Sequence, residues 1–168
     1  IQAAGPLKDL LATPDAIRAY LRFLRRHGAD DADDPSAPFS TEVVEHITSG
    51  SWLGNGSPYL IFAPDLIPLT DAELAACLER CDWLCDDLAA WAEQHAAAQL
   101  DAQPADGGRP ARAVLRHVIG AQGAYLAAAL GSAPGFSALA RAVERGERAP
   151  AEALVASAAL VTERVRGL

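Results

Sequence analysis

Side chains able to hold a borderline or soft metal are few in this chain: four histidines and three cysteines, with no methionine. His117 lies in the apolar stretch RPARAVLRHVIGAQGAYLAAALG, residues 109–131, with Ala113, Ala121 and Ala124 as its small neighbours along the helix. An imidazole among small side chains has room for a ligand beside the ring. The plainer alternative is a partly buried histidine satisfied by one hydrogen bond. Ala121, Gln122 and Tyr125 are candidate pocket-lining residues on the same helix. His46 and Trp52 border the pocket or simply seal the end of the bundle.

Cys77, Cys81 and Cys85 follow one another at four-residue steps and drift slowly around one face of a helix, a seam that reaches His95. Cys85 and His95 are separated by about 15 Å at helical rise, too far to share one ion. Buried free cysteine behaves as a small hydrophobe, so core packing is the expected role. Glu42 precedes His46 by four residues, whereas a di-iron bundle needs Glu-x-x-His on paired helices. The chain has no Gly-x-Ser-x-Gly elbow, phosphate loop or dinucleotide fingerprint.

The elements that must position these residues are read from caps and periodicity. Thr13-Pro14-Asp15 opens a first helix as cap and first turn, and His27-Gly28 closes it. Ile17, Tyr20, Leu21 and Leu24 share one face, and Arg18, Arg22, Arg25 and Arg26 share the other, facing the acidic run of residues 30–38. Residues 40–47 form a short helix or strand, and residues 49–68, rich in glycine, proline and aromatics, wrap a helical core. Thr70 with Glu73 makes a capping box for a helix running to about Ala97. Its inward residues are Leu74, Cys77, Leu78, Cys81, Leu84, Cys85, Leu88, Trp91 and Ala92. The central helix occupies 110–130, with Ala111, Val114, Leu115, Val118, Tyr125 and Leu126 inward and Gly131 as its stop. Two or three turns over 136–145 precede a last helix from Pro150, with Leu154, Val155, Ala158, Val161 and Val165 inward.

At 168 residues the chain fits one compact unit: an N-terminal helix with its wrapping loop over 1–68 and a helical bundle over 69–168. Hydrophobic residues reach 51% but aromatics only 6%, so alanine supplies much of the apolar content and closely packed helices are favoured over a sandwich. The fold class is all-α. A net charge of −8 argues against a nucleic-acid surface and against an anionic membrane. Charges interrupt the apolar runs before a membrane span is reached, and no signal peptide opens the chain. Three cysteines, an odd number, point to a reducing compartment and a cytoplasmic protein. The start at Ile1 and the lack of methionine are expected of a piece of a longer product.

The string RP…VLRHVIGAQGAYLAAALG resembles the second helix of the DinB-like family, the DinB/YfiT-type four-helix bundles that include bacterial thiol transferases. The resemblance covers residues 69–168 and implies that His117 is the first of three ligands to a divalent metal, zinc or nickel. A carboxylate often follows five residues on in the family, where this chain has Gln122, and then an aromatic-Leu pair, here Tyr125-Leu126. The other two ligands, a His-x-x-x-His pair on the last helix, have no counterpart, because no histidine follows His117. What the family implies is metal-dependent transfer or hydrolysis on a small thiol or related molecule, in a homodimer, with an incomplete metal site here. The first helix, AIRAYLRFLRRHG, resembles the last helix of HicB-like antitoxin domains. That gives the alternative of a non-catalytic association module of toxin–antitoxin type.

Overall fold

All regular structure among the described residues is helical. The computed structural model describes residues 7–29, 32–49, 61–105 and 107–167. The chain divides into two compact units, Ile1–Leu69 and Thr70–Leu168.

In the first unit, α1 spans Leu7–Arg26. It begins a turn and a half before the expected Thr13 cap, and Pro14 therefore lies inside the helix. An interior proline forfeits one N–H bond, but the rest of the helix continues through it. The end is as expected: Gly28 adopts φ +77°, and the Ala29 N–H closes onto the Leu24 carbonyl at 3.0 Å. Phe23 and Leu24 are buried. Arg25 reaches Asp34 of the acidic run at 3.7 Å, and Arg18 lies over the Phe39 ring at 4.8 Å. Residues 40–49 form neither helix nor strand, contrary to expectation. Val43 and Val44 remain exposed, so no apolar face fixes a period. A single 3-10 turn, Ala63–Leu66, is tied back by the Ala63 N–H donating to Glu45 Oε2 at 3.0 Å. Ile61, Leu66, Ile67 and Leu69 are all more than half exposed, so the described part of this loop does not bury its apolar residues. Trp52 and Tyr59 lie outside the described residues.

The second unit contains α2 (Asp71–Glu93), α3 (Ala97–Asp101), α4 (Ala111–Leu130), α5 (Phe136–Glu144) and α6 (Pro150–Arg166). The capping box forms as read. Thr70 Oγ1 accepts from the Glu73 N–H at 3.3 Å, and Glu73 Oε2 accepts from the Thr70 N–H at 2.8 Å. That pairing holds the Glu73 carboxyl below its usual range. α2 stops at Glu93, short of Ala97, where His95 folds back onto the helix end. Its Nδ1 meets the Trp91 carbonyl at 2.8 Å and its ring lies 4.2 Å from the Trp91 ring.

The hub of this unit is α6, which packs against α2, α4 and α5; α4, expected to be central, packs on α5, α6 and the short α3. Ala151, Ala153, Leu154, Ser157 and Ala158 of α6 are buried, and the Ser157 hydroxyl is satisfied by the Leu154 carbonyl at 2.8 Å. Around them lie Ala89 and Ala92 of α2, Leu115 and Ile119 of α4, and Phe136 and Val143 of α5. Burying a side chain the size of Ile119 or Leu154 contributes roughly 1.5–3 kcal/mol. α4 and α5 come together at Gly123, where a Cβ would lie 2.5 Å from Phe136 Cβ. Only a residue without a side chain permits that approach.

Each helix buries a narrower stripe than its apolar residues suggest. On α2 the buried residues are Leu78, Cys85, Ala89 and Ala92, while Cys77, Leu84 and Trp91 stay exposed. On α4 they are Leu115, Ile119 and Gly123, while Val114 and Tyr125 stay exposed, and on α6 Val155 is half exposed. Packing against few neighbours covers only part of each apolar surface. Contrary to the expectation that charges cut every apolar run short, α4 is by length and composition alone long and apolar enough to cross a membrane, because Arg112, Arg116 and His117 are its only charged or imidazole side chains. In the bundle, its Arg112 pairs with Asp101 and its Arg116 pairs with Glu144.

Candidate functional site

The buried stripe of α4 decides where His117 sits. Leu115 and Ile119 face the core, and His117, two residues from each, falls on the opposite side and is exposed. The plainer alternative, a partly buried histidine, is therefore not found, and the room beside the ring is an open groove. Ala113, Arg116, His117 and Gly120, with Arg109 just before the helix, form one wall of an open groove of about 300 Å³. Ala140, Arg141 and Glu144 of α5 form the other. Small residues at 113, 120 and 140 keep the floor low, and the charged side chains rise around it.

The electrostatics follow from that lining. Three guanidinium groups and one imidazole share the groove with a single carboxylate, Glu144, which is already paired with Arg116. Among the described residues neither Arg109 nor Arg141 is ion-paired. The groove thus carries excess positive charge on a chain whose net charge is −8. Guanidinium forks match carboxylate and phosphate geometry and cannot be deprotonated at ordinary pH.

The same lining tests the divalent metal that the family resemblance implies. Neighbouring guanidinium groups repel a cation, and Glu144 is engaged elsewhere. Among the described residues no group of three histidine, cysteine, aspartate or glutamate side chains could hold a metal ion. These residues do not fit a divalent ion on His117.

Gln122 faces a different neighbour. Its amide nitrogen donates to Cys85 Sγ at 3.2 Å and lies 3.8 Å from Cys81 Sγ, both on α2. The three cysteines expected in the core divide by depth instead: Cys77 exposed, Cys81 half-buried, Cys85 buried. The hydrogen bond from Cys81 holds the Cys85 thiol down to about 7, with a further contribution from Gln122, against the opposing effect of burial. The same bond, reinforced by burial, pushes the Cys81 thiol up.

The remaining predicted residues do not converge on either place. Ala121 is half-buried and Tyr125 exposed, and neither lines the groove with His117. His46 is exposed in the first unit, and Trp52 lies outside the described residues. Among the charged lining residues, sequence reasoning missed Arg109, Arg116, Arg141 and Glu144. Arg109, Ala113, Arg116, His117 and Gly120 already share one helical face by spacing, which was the available signal. Nothing in the spacing indicates that α5 supplies the facing wall.

Residues 80–168, more than half of the chain, match the DinB superfamily. The chain belongs to the DinB superfamily. The match takes in most of α2 and all of α3 to α6, so both the groove and the thiol pair lie within the DinB-like part. It does not reach α1, and the likeness to HicB-like domains gains no support from it. No curated protein and no solved structure matches the chain.

Proposed function

We propose that this DinB-superfamily bundle binds a small oxyanion-bearing molecule, a carboxylate or phosphate compound, in the groove between α4 and α5. The observation that carries this reading is the pair Arg109 and Arg141 on facing walls, without carboxylate partners among the described residues, beside the exposed His117. Arg109 and Arg141 bind the charged end by charge-assisted hydrogen bonds. The floor of Ala113, Gly120 and Ala140 admits a slim apolar portion. His117 stands where it can donate to or accept from the bound molecule. A groove of about 300 Å³ sits at the small end of ligand sites. The small thiol that the family resemblance implies falls in this class when it bears a carboxylate.

Calorimetric titration of the full chain with inorganic phosphate, glutarate and glutathione tests the reading. Saturable 1:1 binding that weakens with added salt is expected for at least one of them. Arg141→Ala should loosen it roughly tenfold, the weight of one exposed charge-assisted contact. Equal binding in an Arg109→Ala/Arg141→Ala double variant, or no saturable heat with any of the three, would overturn it. Tighter binding of glutathione than glutarate selects a thiol compound over a plain carboxylate.

A further inference from the structure

Away from the groove, the α2–α4 face holds a second constellation. Cys81 and Cys85 lie one helical turn apart on α2, and the Gln122 amide nitrogen reaches both sulfurs, at 3.8 and 3.2 Å. The other end of that amide, Gln122 Oε1, is buried and has no hydrogen-bond partner among the described residues. A buried acceptor left unmet is costly and uncommon in folded proteins. A site that is polar, sulfur-rich and incompletely satisfied is poorly explained as hydrophobic packing.

We infer that Cys81 and Cys85 form a low-coordinate site for a thiophilic monovalent cation of the copper(I) class, with Gln122 as the amide that braces the sulfurs. Metal–sulfur bonds run to about 2.3 Å, and two sulfurs one helical turn apart that converge on a single amide nitrogen can close on one ion by side-chain rotation. Two thiolates suit a soft ion that accepts two ligands, whereas zinc takes four. Binding replaces both S–H protons: two thiols and one M⁺ give an S–M–S unit of single negative charge and release two protons. The Gln122 N–H donor then faces that charge, the kind of outer contact that orients ligands and tunes a metal. Access follows the cysteine series along α2. Cys77 is exposed, Cys81 half-buried and Cys85 buried, so the ion enters past Cys81.

An intramolecular disulfide is the competing use of two cysteines. It requires Cβ atoms about 3.8 Å apart, closer than two residues one turn apart on an intact helix hold them. α2 is continuous from Asp71 to Glu93. Chelation needs no such distortion.

The test is an anaerobic titration of the reduced full chain with copper(I), supplied as its acetonitrile complex and competed by a bathocuproine chelator. One equivalent withheld from the chelator is expected. Cys77→Ser should retain it, Cys81→Ser should lose it, and Gln122→Leu should weaken it about 10- to 100-fold. Because Cys81 is only half-buried, Cys81→Ser can be checked for unchanged helicity, so the result does not depend on the buried Cys85→Ala variant folding. No copper withheld, or retention unaffected by Cys81→Ser, or equal loss on Cys77→Ser, overturns the assignment.

Discussion

Five residues of α-helix turn the chain through about 140° net, and that rotation separates His117 from Gln122. The imidazole joins arginines against α5, and the amide meets two thiols on α2. A single pocket built from both is thereby ruled out by helix geometry. At this scale the thiol pair makes a direct prediction. Cys85 takes its lowered value, about 7, first from the Cys81 hydrogen bond and then from Gln122. Following thiolate absorbance against pH should show a deprotonation near neutrality. Cys81→Ala should move that midpoint upward, because burial then acts with less opposition. A midpoint indifferent to that substitution would remove the hydrogen bond as its cause.

At the scale of elements, one close approach fixes how α4 meets α5. A methyl group at residue 123 would overlap Phe136 Cβ and Cγ, at 2.5 and 2.8 Å, atoms at the root of a buried side chain that cannot swing aside. Gly123→Ala should therefore lower stability by about 1–3 kcal/mol despite the better helix propensity of alanine. Denaturant unfolding should show a lower midpoint at unchanged slope. A more stable variant would mean that the two helices separate freely. Helix ends were legible in the sequence because caps are local chemistry: Thr70 with Glu73 and the glycines at 28 and 131 sit where their types require. Faces were less legible. Alanine occurs on every side of α4, so apolar spacing alone placed the stripe through Val114 and Tyr125. Packing against α5 and α6 selected Leu115, Ile119 and Gly123. The misplaced stripe is what made His117 look half-buried. The facing wall of the groove was not legible at all, since Arg141 and Glu144 reach His117 only through the packing of α5.

At the scale of the whole molecule, the described residues of the core cluster, from Ala89 to Leu154, all belong to the second unit. A fragment of residues 70–168 should accordingly retain helical circular dichroism and unfold cooperatively. A broad, non-cooperative transition would show that residues 1–69 complete the fold. The charge distribution points the same way as the site geometry: acidic overall, with positive charge gathered in one groove of the DinB-like unit. The central claim is that His117 serves an anion groove and does not ligate a metal. Phosphate titration and elemental analysis after zinc loading and desalting, both on the full chain and on His117→Ala, test it most directly. The account predicts phosphate binding weakened in the variant and zinc content the same in both proteins. One zinc per chain in the parent and none in His117→Ala, with phosphate binding unchanged, would contradict it.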